Sequence, residues 1–146
     1  VTEPKATFST CFGAPFMPLH PSVYAKLLGE KIDEYGAQVW LINTGWTGGK
    51  YGVGHRMELG YTRKMVTAAV DGSMEGVETF THPVFGLEIP KHIDGVPDEV
   101  LDPVKTWKDS AAYEATAKEL AGMFAENFKK YEDQVTPEVI AAGMKA

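Results

Sequence analysis

Five glycines, Gly45, Gly48, Gly49, Gly52 and Gly54, crowd the stretch NTGWTGGKYGVGHRM, and Arg56 follows them directly. Glycine lets a backbone approach a ligand closely and takes positive φ without strain, so a loop of this kind can edge a phosphate or nucleotide site. It is not a Walker A loop, because Gly49-Lys50 is followed by Tyr51 where a Ser or Thr would be needed to reach Mg²⁺. Nor does a G-x-G-x-x-G open a helix here, which removes the dinucleotide fingerprint. Spacing alone fits a long surface crossover with glycines for turns better than it fits a ligand site.

The other reactive side chains are sparse. His20, His55, His82 and His92 share no metal-ligand spacing, and the lone Cys11 cannot complete a zinc cluster. Isolated histidines usually serve local hydrogen bonds. Cys11 with a distant histidine would make a dyad only in the weakest sense, and a buried thiol is the expectation. The acidic pairs Asp98-Glu99 and Glu132-Asp133 fall in loop or helix-end contexts, where a solvated role is ordinary. The residues taken by themselves supply no complete active site.

The elements that would position these residues read as α/β. Val39-Trp40-Leu41-Ile42 is a continuous apolar run, which suits a strand buried on both faces, so Val39–Thr44 is expected as a central strand. Before it, Pro21 opens an amphipathic helix with Val23, Tyr24, Leu27, Leu28, Ile32 and Tyr35 at helical spacing, closed by Gly36; it is expected to pack on the sheet. Thr7–Phe16 reads as a strand followed by a turn. A short helix is expected over Thr62–Val70, and extended segments broken by Pro83 over Val77–Ile89. Pro90–Pro103 reads as a turn-rich loop wrapping a larger body. A long helix capped by Asp109 or Ser110 carries the stripe Tyr113, Ala117, Leu120, Phe124, Phe128 and Tyr131, which is a packing face. Thr136-Pro137 starts a last short helix ended by Gly143.

Composition bounds the class. With 146 residues, 44% hydrophobic and 23% charged, the chain reads as one ordinary soluble domain. A net charge of -6 with scattered Lys and Arg argues against nucleic acid as a partner. No apolar run approaches the ~20 residues of a membrane span. The opening VTEPKATFS has no secretory n-region and h-region. A single cysteine rules out an internal disulfide and fits a reducing, cytoplasmic setting.

Several blocks are specific enough to carry a resemblance. TFSTCFGAPFMPLHPSVYA, AQVWLINTGWTGG, HRMELGYTRKMV, FTHPVFGLEIP, the VLDP before Trp107, and the helix running to Asn127-Phe128-Lys129-Lys130-Tyr131 together resemble the C-terminal part of the ATP-dependent phosphoenolpyruvate carboxykinases. That family's members are several times longer, and the resemblance covers roughly their last quarter, in the same order. It implies the C-terminal portion, 1–146, of a mixed-sheet mononucleotide-binding domain of the P-loop carboxykinase type, incomplete on its own, with 1–6 as the trailing leg of a mobile lid. The implied reaction, in gluconeogenesis, takes oxaloacetate and ATP to phosphoenolpyruvate, CO₂ and ADP with Mg²⁺ and Mn²⁺. The metal ligands, P-loop and oxaloacetate-binding arginine are implied to lie in the remaining N-terminal part of the same protein. In that family an Arg, the apolar residue after it, and a Thr further on border the adenine of ATP. The resemblance places these roles on Arg56, Met57 and Thr62 of RMELGYT, with Met57 where other members can have Ile. An arginine plane can stack on a purine, an apolar side chain can wall it, and a hydroxyl can bond a ring nitrogen. For Arg56 alone, a surface ion pair with Glu58 or Glu34 is the competing role. For the chain as a whole, the competing reading is a stand-alone, non-catalytic α/β module that binds a nucleotide or a protein.

Overall fold

The computed structural model describes residues 7–144, so the expected lid leg, 1–6, lies outside the described residues. The chain forms two compact units: the described part of Val1–Val39 together with Phe124–Gly143, and Trp40–Met123 with Met144.

In the first unit, helix α1 runs Pro21–Tyr35. Its start is fixed by Pro21 at N1 and by the side chain of His20, which accepts a hydrogen bond from the Ser22 N–H at 3.3 Å. Its end is fixed by Gly36, left-handed at φ 62, with the Ala37 N–H bonding the Ile32 carbonyl at 3.2 Å. The helix has the expected bounds but not the expected packing. It buries no residue outright, and Leu27 and Leu28 stay 50% and 62% exposed. Thr7–Phe16 also departs from expectation: no strand forms there, only a single 3₁₀ turn over Ala14–Phe16, closed by the Phe16 N–H on the Gly13 carbonyl at 2.9 Å. Gly13 and Pro15 favour that turn over an extended ladder, and Phe12 and Phe16 point to solvent. What organises the segment is aromatic: Phe8 meets Phe124 edge-to-face at 5.1 Å, and the His20 ring lies 6.0 Å from that of Tyr131. A last helix, Pro137–Ala142, starts at its proline and ends at Gly143.

The second unit holds two antiparallel ladders rather than a mixed sheet. Strands β1 (Trp46–Thr47) and β2 (His55–Arg56) pair with each other, and β3 (Thr79–Thr81) pairs with β4 (Glu88–Pro90). Between the two ladders runs α2, Leu59–Asp71, stopped by Gly72 at φ 81. Two short helices follow β4, α3 (Asp98–Leu101) and α4 (Pro103–Thr106), and then the long α5 (Ser110–Phe128). Asp109 caps α5, its carboxylate accepting from the Ala111 and Ala112 N–H groups at 2.9 and 3.1 Å. Helices with small antiparallel sheets remain compatible with the α/β class.

The core of this unit is Met57, Met65, Ala68, Met74, Ile93, Val96 and Leu101, with Trp40, Ile42 and Tyr61 partly buried against it. Tyr61, Met65 and Ala68 give α2 its inward stripe. Pro90–Pro103, expected as a turn-rich loop, supplies the core with Ile93, Val96 and Leu101. It folds back on itself through an Ile93–Val96 bridge with Gly95 at φ 77.

The central strand expected over Val39–Thr44 is not formed: no residue there pairs in a ladder, and Leu41 is 81% exposed. Its side chains alternate. Trp40 and Ile42 turn to the core, while Val39 and Leu41 turn to solvent. A continuous apolar run predicts cover on both faces, but among the described residues only one face is covered.

Candidate functional site

The glycine-rich stretch folds as a pinched hairpin. Asn43 ends the extended run, its side-chain carbonyl accepting the Gly45 N–H at 2.9 Å. Trp46 then pairs with Arg56 and Thr47 with His55, and the Met57 N–H extends the ladder to the Gly45 carbonyl at 2.8 Å. Gly48 and Gly52 turn the loop at φ 74 and 86. Gly54 serves a different need: a Cβ there would lie 2.4 Å from the Thr47 carbonyl oxygen, so two backbones touch where only hydrogen fits. The hairpin is tied to α4 by the Thr47 hydroxyl, which donates to Thr106 at 3.3 Å. At its tip, Tyr51 leans on the Trp46 ring with centroids 5.5 Å apart, and Lys50 reaches Glu119 at 3.6 Å.

Arg56, Met57 and Thr62 fall at the corner where this hairpin feeds α2. Arg56 is exposed and forms no ion pair among the described residues, so the pairing with Glu58 is not made. Met57 turns the other way, into the core, and keeps 9% of its surface accessible. Thr62 is half-buried in the first turn of α2, its N–H bonded to the Glu58 carbonyl at 3.1 Å. The corner thus gathers the three residues in one continuous piece of backbone. The side chains of Arg56 and Met57 leave it on opposite faces, as successive residues of an extended segment do.

The other candidates take structural work. His82 is buried, and its Nδ1 accepts the Val84 and Phe85 N–H groups at 3.2 Å each. The proton therefore sits on Nε2, which donates to the Tyr113 hydroxyl at 2.6 Å. Burial lowers the His82 pKa, opposed by the Asp102 charge, and burial raises that of Tyr113, so both stay neutral near pH 7. No spacing in the sequence links His82 to Tyr113; only the hairpin of β3 and β4 brings them together. His20 caps α1, His55 is exposed on β2, and His92 bonds Asp98 and Asp94 at 2.8 and 3.2 Å, which raises its pKa. Cys11 is exposed rather than buried, because the 3₁₀ turn beside it presents no apolar pocket; its Sγ lies 3.1 Å from the Met17 sulfur. Among the described residues no group of three or more His, Cys, Asp or Glu is placed to hold a metal ion. A cavity of about 460 Å³ lies away from the hairpin, lined by Lys64 and by Asp71 and Asp94, so it offers no consistent charge to a phosphate.

Residues 1–99 match the family model described as phosphoenolpyruvate carboxykinase. The chain belongs to the phosphoenolpyruvate carboxykinase family. It is 60% identical over 143 residues to the phosphoenolpyruvate carboxykinase (ATP) of Bacillus cereus strain G9842, covering 98% of this chain and 27% of that relative. It is 59% identical over the same length to the phosphoenolpyruvate carboxykinase (ATP) of Bacillus anthracis strain A0248, again covering 27% of it. The chain therefore spans about a quarter of the length of the carboxykinases it matches. No helix among the described residues is long and apolar enough to cross a membrane.

Proposed function

We propose that this chain is the C-terminal segment of the nucleotide-binding domain of an ATP-dependent carboxykinase, and that the corner from β2 to α2 forms one wall of its adenine pocket. The observation that carries this reading is 60% identity over 98% of this chain to an ATP-dependent carboxykinase, of which the chain spans about a quarter. Arg56, exposed and without an ion pair among the described residues, stands at the end of the glycine hairpin and supports the wall. The whole protein decarboxylates oxaloacetate; the electron pair of the breaking C–C bond forms an enolate, whose oxygen takes the γ-phosphoryl group of ATP. CO₂, ADP and phosphoenolpyruvate leave, in the direction that feeds sugar synthesis in the cytoplasm. Transfer of this kind rests on positioning and charge stabilisation. On the resemblance, the Mg²⁺ and Mn²⁺ ligands, the P-loop and the clamp for oxaloacetate belong to the N-terminal part of the same protein, which completes the mixed-sheet mononucleotide domain.

Arg56 supplies a guanidinium plane to the base, Thr62 a hydroxyl, and Met57 the apolar backing behind them. In the whole enzyme, Arg56→Ala weakens ATP by roughly two- to thirtyfold, the range that a stacking energy of ~0.5–2 kcal/mol gives. Oxaloacetate affinity changes much less. Nucleotide titration and substrate kinetics on the variant measure both, and an unchanged ATP affinity would count against the wall.

A further inference from the structure

We propose that Trp46 is a further base-binding residue of the same site, a stacking surface for the purine ring alongside Arg56. This rests on the nucleotide reading of the hairpin and extends it to a residue that the RMELGYT motif does not contain. Trp46 and Arg56 are directly opposed in the β1–β2 ladder. Opposed residues of an antiparallel pair project from the same face, with Cβ atoms about 4.5–5.5 Å apart. That face is open: Trp46 is 40% exposed and Arg56 is exposed. Met57 lies on the other face, inside the core, so the side chain opposed to Arg56 on the open face is the Trp46 indole. The indole is also held in place. Tyr51, from the tip of the loop, lies against it with ring centroids 5.5 Å apart and planes inclined by 38°.

A large aromatic face beside a guanidinium with no anionic partner among the described residues has a defined complement. It fits a flat heteroaromatic ring, and on the nucleotide reading that ring is the purine of ATP. The ring can lie on the indole while the guanidinium caps it. Sequence-tolerant stacking of bases on aromatic side chains is a general device, and every base has a π face to offer.

The test uses the whole enzyme and separates this inference from the reading on which it rests. Trp46→Ala is expected to weaken ATP by about five- to a hundredfold, the range for removing one base-stacking aromatic. Binding of inorganic tripolyphosphate, which has no base, is expected to stay unchanged, and Trp46→Phe keeps most of the ATP affinity. If Arg56→Ala weakens ATP and Trp46→Ala does not, the Trp46 assignment is overturned while the nucleotide site stands. If neither variant affects ATP, both fail. Equal loss of ATP and tripolyphosphate would show that Trp46 only supports the hairpin, and would also overturn the proposal. Should Trp46→Ala not fold, the emission of the unmodified enzyme minus that of Trp46→Phe isolates this indole. ATP must change that difference emission while tripolyphosphate leaves it alone, and no change with ATP rejects the contact.

Discussion

His82 shows what a single residue contributes when its chemistry is spent on the fold. Both ring nitrogens are committed, Nδ1 to two backbone N–H groups and Nε2 to Tyr113, and burial holds the ring neutral. In the unfolded chain a histidine protonates near its ordinary value of 6.5, and in the fold it does so at lower pH. Between those two values the unfolded state binds more protons, so acid favours opening. The contribution is complete above the unfolded value and is lost as pH falls towards the folded one. Protection of the Val84 and Phe85 amides against hydrogen exchange, corrected for intrinsic rates, should therefore fall as pH drops below 6.5, and His82→Gln should flatten that dependence. The exposed His92, raised by Asp98 and Asp94, acts in the opposite sense: its contribution is present below the unfolded value and is lost as pH rises through the folded one, which is why the comparison with His82→Gln matters. Tyr113→Phe leaves the Nε2–H buried without a partner and should cost about 1–3 kcal/mol at the same amides. Met57 makes a second residue-scale test. Met57→Ala should destabilise by about 2–5 kcal/mol as a core truncation, and Met57→Leu by less than about 1.5, both read from unfolding in denaturant.

Elements were legible in the sequence where local chemistry bounds them. Pro21 at N1 and a left-handed Gly36 mark α1 at both ends without reference to anything distant. Helix α2 starts at Leu59, before the expected Thr62, because its N-cap, Glu58, makes no side-chain cap and so leaves no signal. The run Val39–Ile42 departs from a buried strand because apolarity says that a face wants cover and not where the cover comes from; Trp40 and Ile42 find it, and Leu41 does not. With its side chain in solvent, Leu41→Ala should cost within about 0.5 kcal/mol in this chain, not the several expected of a buried strand position. The hairpin of β1 and β2 was legible only as a dense patch of glycines. Its register depends on the backbone pinch at Gly54, a contact between residues whose pairing spacing does not announce. Gly54→Ala should push apart the two strands and expose the Met57 N–H, so accelerated exchange of that amide is the expected signature. The same amide should keep its protection in Lys50→Ala, which removes only an exposed ion pair.

At the scale of the whole molecule the candidate site is a wall without a room. The described residues place an arginine, a threonine and an indole along one hairpin-to-helix corner, yet they form no metal-binding group. The chain spans 27% of its carboxykinase relatives, and on the proposed reading the phosphate loop, the metals and the oxaloacetate clamp lie in the remainder. Several large apolar side chains lie in water: Leu41 at 81%, Val70 at 82% and Val53 at 74% exposed. On the proposed reading, the N-terminal part of the same protein covers them. Two outcomes are expected together. Residues 1–146 purified alone should form no phosphoenolpyruvate from oxaloacetate and ATP, because a base wall lowers no barrier to phosphoryl transfer without the parts that hold the γ-phosphoryl group. The same sample should bind an apolar dye strongly, and adding the separately expressed N-terminal part should both displace the dye and restore turnover. Activity from residues 1–146 alone would mean that the catalytic parts lie within this chain after all. Dye release without recovered turnover would place the two parts in contact but not in the arrangement that phosphoryl transfer needs.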